Sequence, residues 1–250
     1  MFTYPPPTVW NKADLHLHTD YSDGMMSPEE TVVTISVETD LWVIAITDHD
    51  TADGALIARS FARKRGLPLE VVVGQEVTTG EGDVLALFIN ESLPRFATAA
   101  EAVQAIHLQG GLAVAAHPFF VWGWAMESVH LRIRTLPFDA IEARHGCPLS
   151  IIGNGAAHIV NHWFGQKLPE MGNSDAHIPY AAGQAFTWYQ GHTAADLRTA
   201  IEQGHIRPGG TVWTPRTLWR MAEAVLRHGW PDYPTAKDLL PGKTAKGLSR

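Results

Sequence analysis

The sequence has 250 residues and very little cysteine, with Cys147 as its single example. One cysteine cannot form an internal disulfide, and it cannot supply the several thiolates of a structural zinc site. The composition therefore predicts a fold held together by its hydrophobic core. Because disulfide-free chains are typical of reducing compartments, we expect a cytoplasmic location.

The sequence also lacks a surplus of basic residues and a long hydrophobic run. It has 19 lysines and arginines against 26 acidic residues, which gives a formal net charge of −7. Proteins that bind extended nucleic acid usually carry a basic face, so the charge argues against that class. No apolar stretch reaches the roughly 20 residues of a membrane span, and the N-terminal residues do not resemble a signal peptide. We therefore expect no membrane partner, and the oligomeric state stays open.

Histidine, in contrast, is abundant, with 13 copies. Neutral imidazole is the commonest metal ligand in proteins, so this excess is a first indication of metal chemistry. The acidic charge is compatible with two interpretations, ordinary solubility or carboxylates that face cations.

Short apolar runs alternate with helical patterns along the chain. Runs such as VIAIT and LAVAA are apolar on both faces, which is typical of parallel strands covered on both sides. Two strand patterns flank TGEGD, which predicts a hairpin there. The expected strands are 13–17, 42–47, 70–75, 84–89, 112–116, 139–143, 168–172 and 185–189.

Helix starts are marked by residues that cap the first turn. Two segments have the pattern of a capping box, Ser-Pro-Glu-Glu at 27–30 and Thr-Ala-Ala-Glu at 98–101. Further helices are expected to begin at Thr193 and Thr214 and to end near Gly204 and Gly229. The repetition of strand and helix implies an α/β barrel or barrel-like sheet. We expect one domain over residues 1–230 and a loose tail over 231–250.

Polar side chains follow six of the expected strands. In a βα barrel the carboxyl ends of the strands lie on one face, which carries the active site. Residues from distant parts of the chain are therefore expected to converge, and imidazole with carboxylate suits zinc, manganese or iron(II). These candidates are His16, His18, Asp23, Asp48, His49, Asp50, Glu76, His117, Arg144, His145, Asp175 and His177.

Five segments, DLHLHTDYSDG, ITDHDT, GQEVTT, AAHPF and GNSDAH, resemble the successive motifs of the PHP (polymerase and histidinol phosphatase) superfamily. The resemblance runs from about Asp14 to Gly183. It implies a distorted (β/α)7 TIM-like barrel, up to three divalent metal ions and phosphoester hydrolysis. It also implies three ligand groups, which are His16, His18, Glu76 and Asp175; Glu76, His117 and His145; and Asp23, His49 and His177.

The resemblance leads us to expect hydrolysis of a small phosphate mono- or diester by a metal-bound water or hydroxide. His177 or a nearby aspartate such as Asp48 would protonate the leaving oxygen. Arg144 is either a phosphate clamp or an ordinary surface residue. Carboxylates often accept the free N–H of a ligating imidazole, a role expected for Asp14, Asp48 and Asp50. Asp50 could instead cap the following helix.

Other functions stay open from the sequence. Cleavage of an amide or lactone, and a non-catalytic metal-binding module, are both compatible with the candidates. Nucleic-acid processing such as 3′–5′ exonuclease activity has less support, because only 40 residues separate Glu76 from His117 and leave no room for the domain inserted in longer relatives. His158 and His162 are interpreted as one helix face. The aromatic segment Phe119–Met126 is either core or a pocket wall.

Overall fold

The computed structural model describes residues 9–120 and 128–228. Within these two ranges, nine strands form one sheet in the order β7-β6-β5-β4-β3-β2-β1-β8-β9. The strands are β1 Trp10–Asp14, β2 Leu41–Ile46, β3 Glu70–Val77, β4 Val84–Leu87, β5 Leu112–Ala115, β6 Ala140–His145, β7 Glu170–Asn173, β8 Ala185–Gln190 and β9 Ile206–Gly210. The helices are α1 Pro28–Glu38, α2 Asp53–Arg65, α3 Ala99–Leu108, α4 Ile151–Ile159, α5 Ala194–Glu202 and α6 Pro215–His228.

Six strands of this sheet, β1, β2, β3, β5, β6 and β7, run parallel to one another, so their carboxyl ends lie at one face. β4 runs antiparallel between β3 and β5, which confirms the hairpin predicted at TGEGD. β8 and β9 continue the sheet beyond β1 with antiparallel pairing. The loose tail predicted for residues 231–250 lies outside the described part of the chain.

The sheet curves until its first and seventh strands meet at the carboxyl-end face. Just beyond β1 and β7, Leu17 pairs with Ala176, and the backbone N–H of His18 donates to the Ala176 carbonyl at 3.0 Å. Seven strands therefore form a nearly closed barrel, as the sequence predicted. The same closure brings residues 16–18 next to residues 175–177, at opposite ends of the motif-bearing region.

Side chains on the two faces of the barrel strands build two hydrophobic layers. Ile44 and Ile46 belong to the cluster that packs against the covering helices. Val43 and Ala45 belong to an inner cluster that also includes Leu197 of α5. Because strand side chains alternate between faces, β2 is apolar on both sides, as its sequence indicated.

Helix boundaries follow the predicted caps. Both capping boxes are present, with the side chains of Ser27 and Thr98 accepting from backbone N–H groups three residues later. Thr193 caps α5 in the same way. β9 was not predicted, since its sequence, IRPGG, holds residues that are depleted in strands. Among the described residues, none of the helices has both the length and the apolar character required to cross a membrane.

Candidate metal centre

The nine residues predicted as ligands lie together at the carboxyl-end face of the barrel. Each of them has a side-chain nitrogen or oxygen within 4 Å of an oppositely charged or imidazole partner from the same set. They are His16, His18, Asp23, His49, Glu76, His117, His145, Asp175 and His177. The structure thus brings together residues that are as much as 161 positions apart in the sequence (16 to 177).

Glu76 stands at the middle of this cluster. Its Oε2 atom lies 2.9 Å from His16 Nε2, 3.3 Å from His18 Nε2 and 3.5 Å from His49 Nδ1. Its Oε1 atom lies 3.0 Å from His117 Nε2. The two oxygens therefore face different imidazoles, so Glu76 could contribute one oxygen to each of two neighbouring ions.

Two aspartates contact further imidazoles of the cluster. Asp175 Oδ1 lies 3.1 Å from His18 Nε2, and Asp175 Oδ2 lies 3.1 Å from His145 Nε2. Asp23 Oδ2 lies 2.9 Å from His177 Nε2, and Asp23 Oδ1 lies 3.4 Å from His18 Nδ1. His18 is thus shared between both aspartates, at the junction of the two halves of the cluster.

The buried charges shift one another's pKa values. Burial alone would lower the pKa of His18, but the carboxylates of Asp23, Asp175 and Glu76 raise it to about 10. Burial likewise opposes the effect of Glu76 on His117, whose pKa is raised to about 9. Burial would raise the pKa of Glu76, and His16 and the neighbouring imidazoles hold it well below its ordinary value. Without a cation, protons therefore balance the carboxylates.

The donor set fits divalent metal ions. Within the described residues, five groups of three side chains offer donor atoms that all lie within 4.8 Å of one another, among them His16, His18 and Asp175. The Nε2 atom of His18 is buried and makes no hydrogen bond to any described residue, although two carboxylate oxygens lie near it. A buried nitrogen directed between carboxylates suits coordination, and imidazole with carboxylate accepts zinc, manganese or iron.

The sequence analysis did not identify two acidic residues that lie at the site. Asp83 is buried in the β3–β4 hairpin, and it forms one of the possible ligand groups with Glu76 and His117. Glu142 is buried in β6, where its Oε1 lies 3.0 Å from His16 Nδ1 and its Oε2 accepts the His117 N–H at 2.7 Å. A carboxylate inside an apolar strand was the available signal for Glu142.

The aspartates expected to orient imidazoles have other hydrogen-bond partners. Asp14 accepts the backbone N–H groups of Ser174 and Gly183, and burial raises its pKa to about 6 despite these bonds. Asp48 accepts from the Thr19 N–H and from the hydroxyls of Thr19 and Ser22. Both aspartates therefore hold the loops that carry proposed ligands in place through hydrogen bonds.

Asp50 also binds a neighbouring segment instead of capping a helix. Its carboxylate accepts the Thr78 N–H at 2.9 Å and pairs with the Arg95 guanidinium. Ala52, at the N-terminus of α2, has no side-chain cap.

Arg144 does not point into the cluster. Its guanidinium is exposed and donates to the Gly210 carbonyl in β9 at 2.9 Å. The pairing of β6 with β7 shifts between Glu142 and Arg144, which inserts one residue into β6. This bulge sets Glu142 and His145 on the inner face and turns Arg144 away, so the geometry does not support the phosphate clamp considered from the sequence.

The remaining histidine pair lies outside the cluster. His158 Nδ1 contacts Glu170 Oε2 at 2.9 Å, and the His158 and His162 rings stack with centroids 6.0 Å apart. Phe120 lies closer to the site, with its ring 5.7 Å from the rings of His117 and His145. Phe120 thus supplies an apolar wall beside two proposed ligands, whereas residues 121–126 of the aromatic segment lie outside the described residues.

Comparisons with known proteins identify the family of the chain. The sequence profile described as PHP domain matches residues 14–120, and that described as PHP-associated matches residues 166–206. The uncharacterised protein MJ1587 of Methanocaldococcus jannaschii is 36% identical over 119 residues, which cover 43% of this chain and 68% of that protein. The 5′-3′ exoribonuclease Rnm of Salmonella typhimurium is 44% identical over 66 residues, covering 26% of this chain but only 22% of the nuclease.

A solved structure provides the comparison of fold. A two-domain protein of Bacteroides vulgatus that contains a predicted PHP-like metal-dependent phosphoesterase superposes with a TM-score of 0.63. The two sequences are 18% identical over 89% of this chain and 72% of that protein, so this likeness concerns the fold. Taken with the matched profiles and the assembled cluster, these similarities establish that the chain belongs to the PHP family.

Proposed function

We propose that this chain hydrolyses a small phosphate mono- or diester with two or three divalent metal ions held in the cluster. The observation that carries the proposal is the position of Glu76, whose two carboxylate oxygens face imidazoles on both sides. Paired ions of this kind clamp phosphoryl oxygens in many phosphoesterases. The metal is one of zinc, manganese and iron, since the donor set suits all three.

The ligands are proposed in three groups. His16, His18, Glu76 and Asp175 would hold the first ion. Glu76, His117 and His145 would hold the second, with Asp83 as an additional donor because its carboxylate lies within reach of Glu76 and His117. Asp23, His49 and His177 would hold the third, which agrees with the short contact between Asp23 and His177.

The bound ions would neutralise phosphoryl charge and lower the pKa of a water molecule that attacks phosphorus. The chain's own residues prepare the site for this chemistry. Glu142 fixes the ring of His16 through Nδ1, which leaves Nε2 directed at the cluster. Asp48 holds the loop that follows His18 by binding Thr19. In this proposal Asp48 is therefore a positioning residue.

Protonation of the leaving oxygen is assigned to His177 as an alternative to its role as a ligand. Its side chain is 22% exposed, whereas those of His16 and His18 are inaccessible, so an incoming substrate can reach it. Burial lowers and Asp23 raises the pKa of His177, with a net increase. A protonated imidazole at the mouth of the site can act as a general acid.

Nuclease activity is the second candidate, favoured by the similarity to the exoribonuclease. That similarity is confined to a short segment, and the acidic overall charge favours a small substrate over an extended one. Cleavage of an amide or lactone would use the same ions to activate water for attack on a carbonyl carbon instead of phosphorus.

Elemental analysis combined with a substrate panel tests the proposal. The panel contains p-nitrophenyl phosphate, bis-p-nitrophenyl phosphate, a 5′-phosphorylated RNA, a carboxylic ester, an amide and a lactone. We expect bound metal and release of product from the small phosphoesters. Asp175→Ala should reduce this activity to background, because Asp175 contacts His18 and His145.

His158→Ala is the matched control, since His158 also pairs with a carboxylate but lies outside the cluster. It should retain parental activity. A parental rate in metal-loaded Asp175→Ala would contradict the site assignment. Turnover of RNA alone, or of amide or lactone alone, would replace the proposed substrate class with the corresponding alternative.

A further inference from the structure

A cavity of about 590 Å³ lies near the end of the barrel opposite the metal centre. It is bounded by α2, the start of β3, the end of β4 and the first turn of α5. Its volume falls within the range of small-molecule sites, about 300–1,000 Å³. Glu70 lines the cavity, and Glu76 lies six residues further along β3, a separation of roughly 20 Å in a strand. The cavity is thus distinct from the metal centre.

The cavity concentrates positive charge in an acidic protein. Arg59, Arg63 and Arg198 line it, and Glu70 is the acidic residue among its lining side chains. The Glu70 carboxylate already accepts the Ala194 N–H at 2.8 Å, at the N-terminus of α5. Three arginines therefore line the cavity together with one carboxylate, which is already hydrogen-bonded to the backbone of α5.

Two of these arginines have no counter-ion in the part of the chain that is described. Neither Arg59 nor Arg63 forms a salt bridge or side-chain hydrogen bond with a described residue. Arg59 is half-buried, and burial together with Arg63 lowers its pKa. Placing two like charges together without a partner costs free energy, which a bound anion would recover.

The third arginine is held in place by its own contacts. Arg198 donates to Glu202 at 2.8 Å and to the Gly110 carbonyl at 2.9 Å, and its guanidinium lies 5.4 Å from the centre of the Phe88 ring. Val71 and Val73 contribute apolar surface to the same cavity. A fixed guanidinium, two unpartnered guanidiniums and an apolar floor suit a ligand with both phosphate and non-polar parts.

We propose that this cavity is a second ligand site, specific for a small phosphorylated molecule and separate from the metal centre. Arg59 and Arg63 bind the phosphate as paired donors, since guanidinium matches the geometry of phosphate oxygens. Arg198 and Phe88 border the non-polar part. The concave shape favours a small molecule over the continuous backbone of a nucleic acid.

Isothermal titration of the metal-loaded protein with α,β-methylene-ADP and with inorganic phosphate tests this site. The protein variants are Arg59→Gln/Arg63→Gln and its matched control, Lys64→Gln/Arg65→Gln. Both remove two positive charges from α2, but Lys64 and Arg65 do not line the cavity. Hydrogen exchange with and without the nucleotide analogue locates the binding, because residues 66–70 and 88–90 lie far from the metal centre.

We expect saturable binding of the nucleotide analogue, about tenfold or more weaker in Arg59→Gln/Arg63→Gln and unchanged in the control pair. Protection from exchange should appear at residues 66–70 and 88–90. Metal content and phosphoesterase activity should not change, which separates this site from the proposed function. Arg63→Gln alone, at an exposed position, replaces the double variant if that one does not fold.

Three results would overturn the proposal. The first is equal affinity in the two variant pairs, and the second is protection confined to the metal-centre loops. The third is loss of affinity for a single-stranded oligonucleotide in Arg59→Gln/Arg63→Gln without any loss for the analogue, which would make the surface a nucleic-acid contact. The proposal is also overturned if neither α,β-methylene-ADP nor inorganic phosphate shows saturable binding.

Discussion

Glu142 illustrates how one buried carboxylate can organise several ligands. It receives three donors, which are the His16 ring N–H, the His117 backbone N–H at 2.7 Å and the Asn173 side-chain amide at 2.7 Å. Burial would raise its pKa, but His16 and the neighbouring imidazoles hold it at about 2. Glu142 is therefore ionised at neutral pH and acts only as an acceptor.

The substitution Glu142→Gln tests this positioning role. A glutamine must direct its amide NH2 group at one of three donors, and it no longer carries the charge that favours the His16 tautomer. We expect metal affinity to fall by roughly 10–100-fold, as for other partners of metal-ligating histidines. Competition with a fluorescent chelator measures this affinity directly.

Glu170→Gln provides the control for that experiment. Glu170 lies on the adjacent strand β7 and also contacts an imidazole, His158, at a distance from the cluster. It should retain the parental metal affinity. Equal affinities in Glu142→Gln and Glu170→Gln would remove Glu142 from the positioning role.

Among the elements, α1 connects the ligand loop to the covering layer. Its capping box joins Ser27 and Glu30, each side chain accepting from the other residue's backbone N–H. Two residues before the cap, the Met25 N–H donates to the His177 carbonyl at 2.9 Å. The helix start therefore lies close to the third proposed ligand group without contributing a ligand to it.

Ser27→Ala should lower the free energy of unfolding by about 1 kcal/mol, because one backbone N–H at the helix start loses its acceptor. The loop carrying Asp23 has its own hydrogen bonds, so metal content should not change. Chemical denaturation measures the stability and elemental analysis measures the metal.

Ser36→Ala, at a partly exposed position inside the same helix, should alter stability by no more than about 0.5 kcal/mol. If the two variants lost the same stability, the capping box would not explain the position of the helix start.

At the same scale, the strands explain which parts of the site the sequence could predict. Ligand positions followed from strand ends, because six strands turned out to be parallel and their carboxyl ends lie together. The bulge in β6 could not be foreseen, since it depends on pairing with β7 and not on the local pattern. Arg144 was considered for the site because it stands next to His145 in the sequence. Neighbouring residues of a strand point to opposite faces, and the bulge determines that His145 is the one that faces inward.

Asp83 was missed for a related reason. It lies in a hairpin, GEGD, where an acidic residue is an ordinary turn former. Only the antiparallel pairing of β4 between β3 and β5 brings this residue next to Glu76 and His117. The sequence predicted the hairpin, but it contained nothing to indicate which of its polar residues faces the barrel interior.

For the whole molecule, closure of the barrel makes the charge state of the cluster part of the stability of the fold. The strand ends can only approach one another if their carboxylates are balanced by protons or by metal ions. In the metal-free protein this balance depends on His18, with its pKa raised to about 10, and on His117, with its pKa raised to about 9. In the metal-loaded protein it depends on the bound ions.

The two states should therefore respond to pH in opposite directions. An imidazole whose pKa is raised by folding stabilises the fold fully below its ordinary value of 6.5, and this contribution is lost as the pH rises through about 9 to 10. Metal binding requires deprotonated imidazoles, so stabilisation by metal grows over the same range. Chelator-treated protein should lose thermal stability from pH 6.5 to 10, and the difference from the metal-loaded protein should widen.

Melting temperatures of both forms across this range test the argument. His18→Gln should flatten the decline in the chelator-treated protein, because it removes the imidazole with the raised pKa, whereas His158→Gln should leave the slope unchanged. If the metal-free protein became more stable with rising pH, protons on the imidazoles would not be what balances the carboxylates. The ends of the barrel strands would then be held together by packing and by backbone hydrogen bonds such as that from His18 to Ala176.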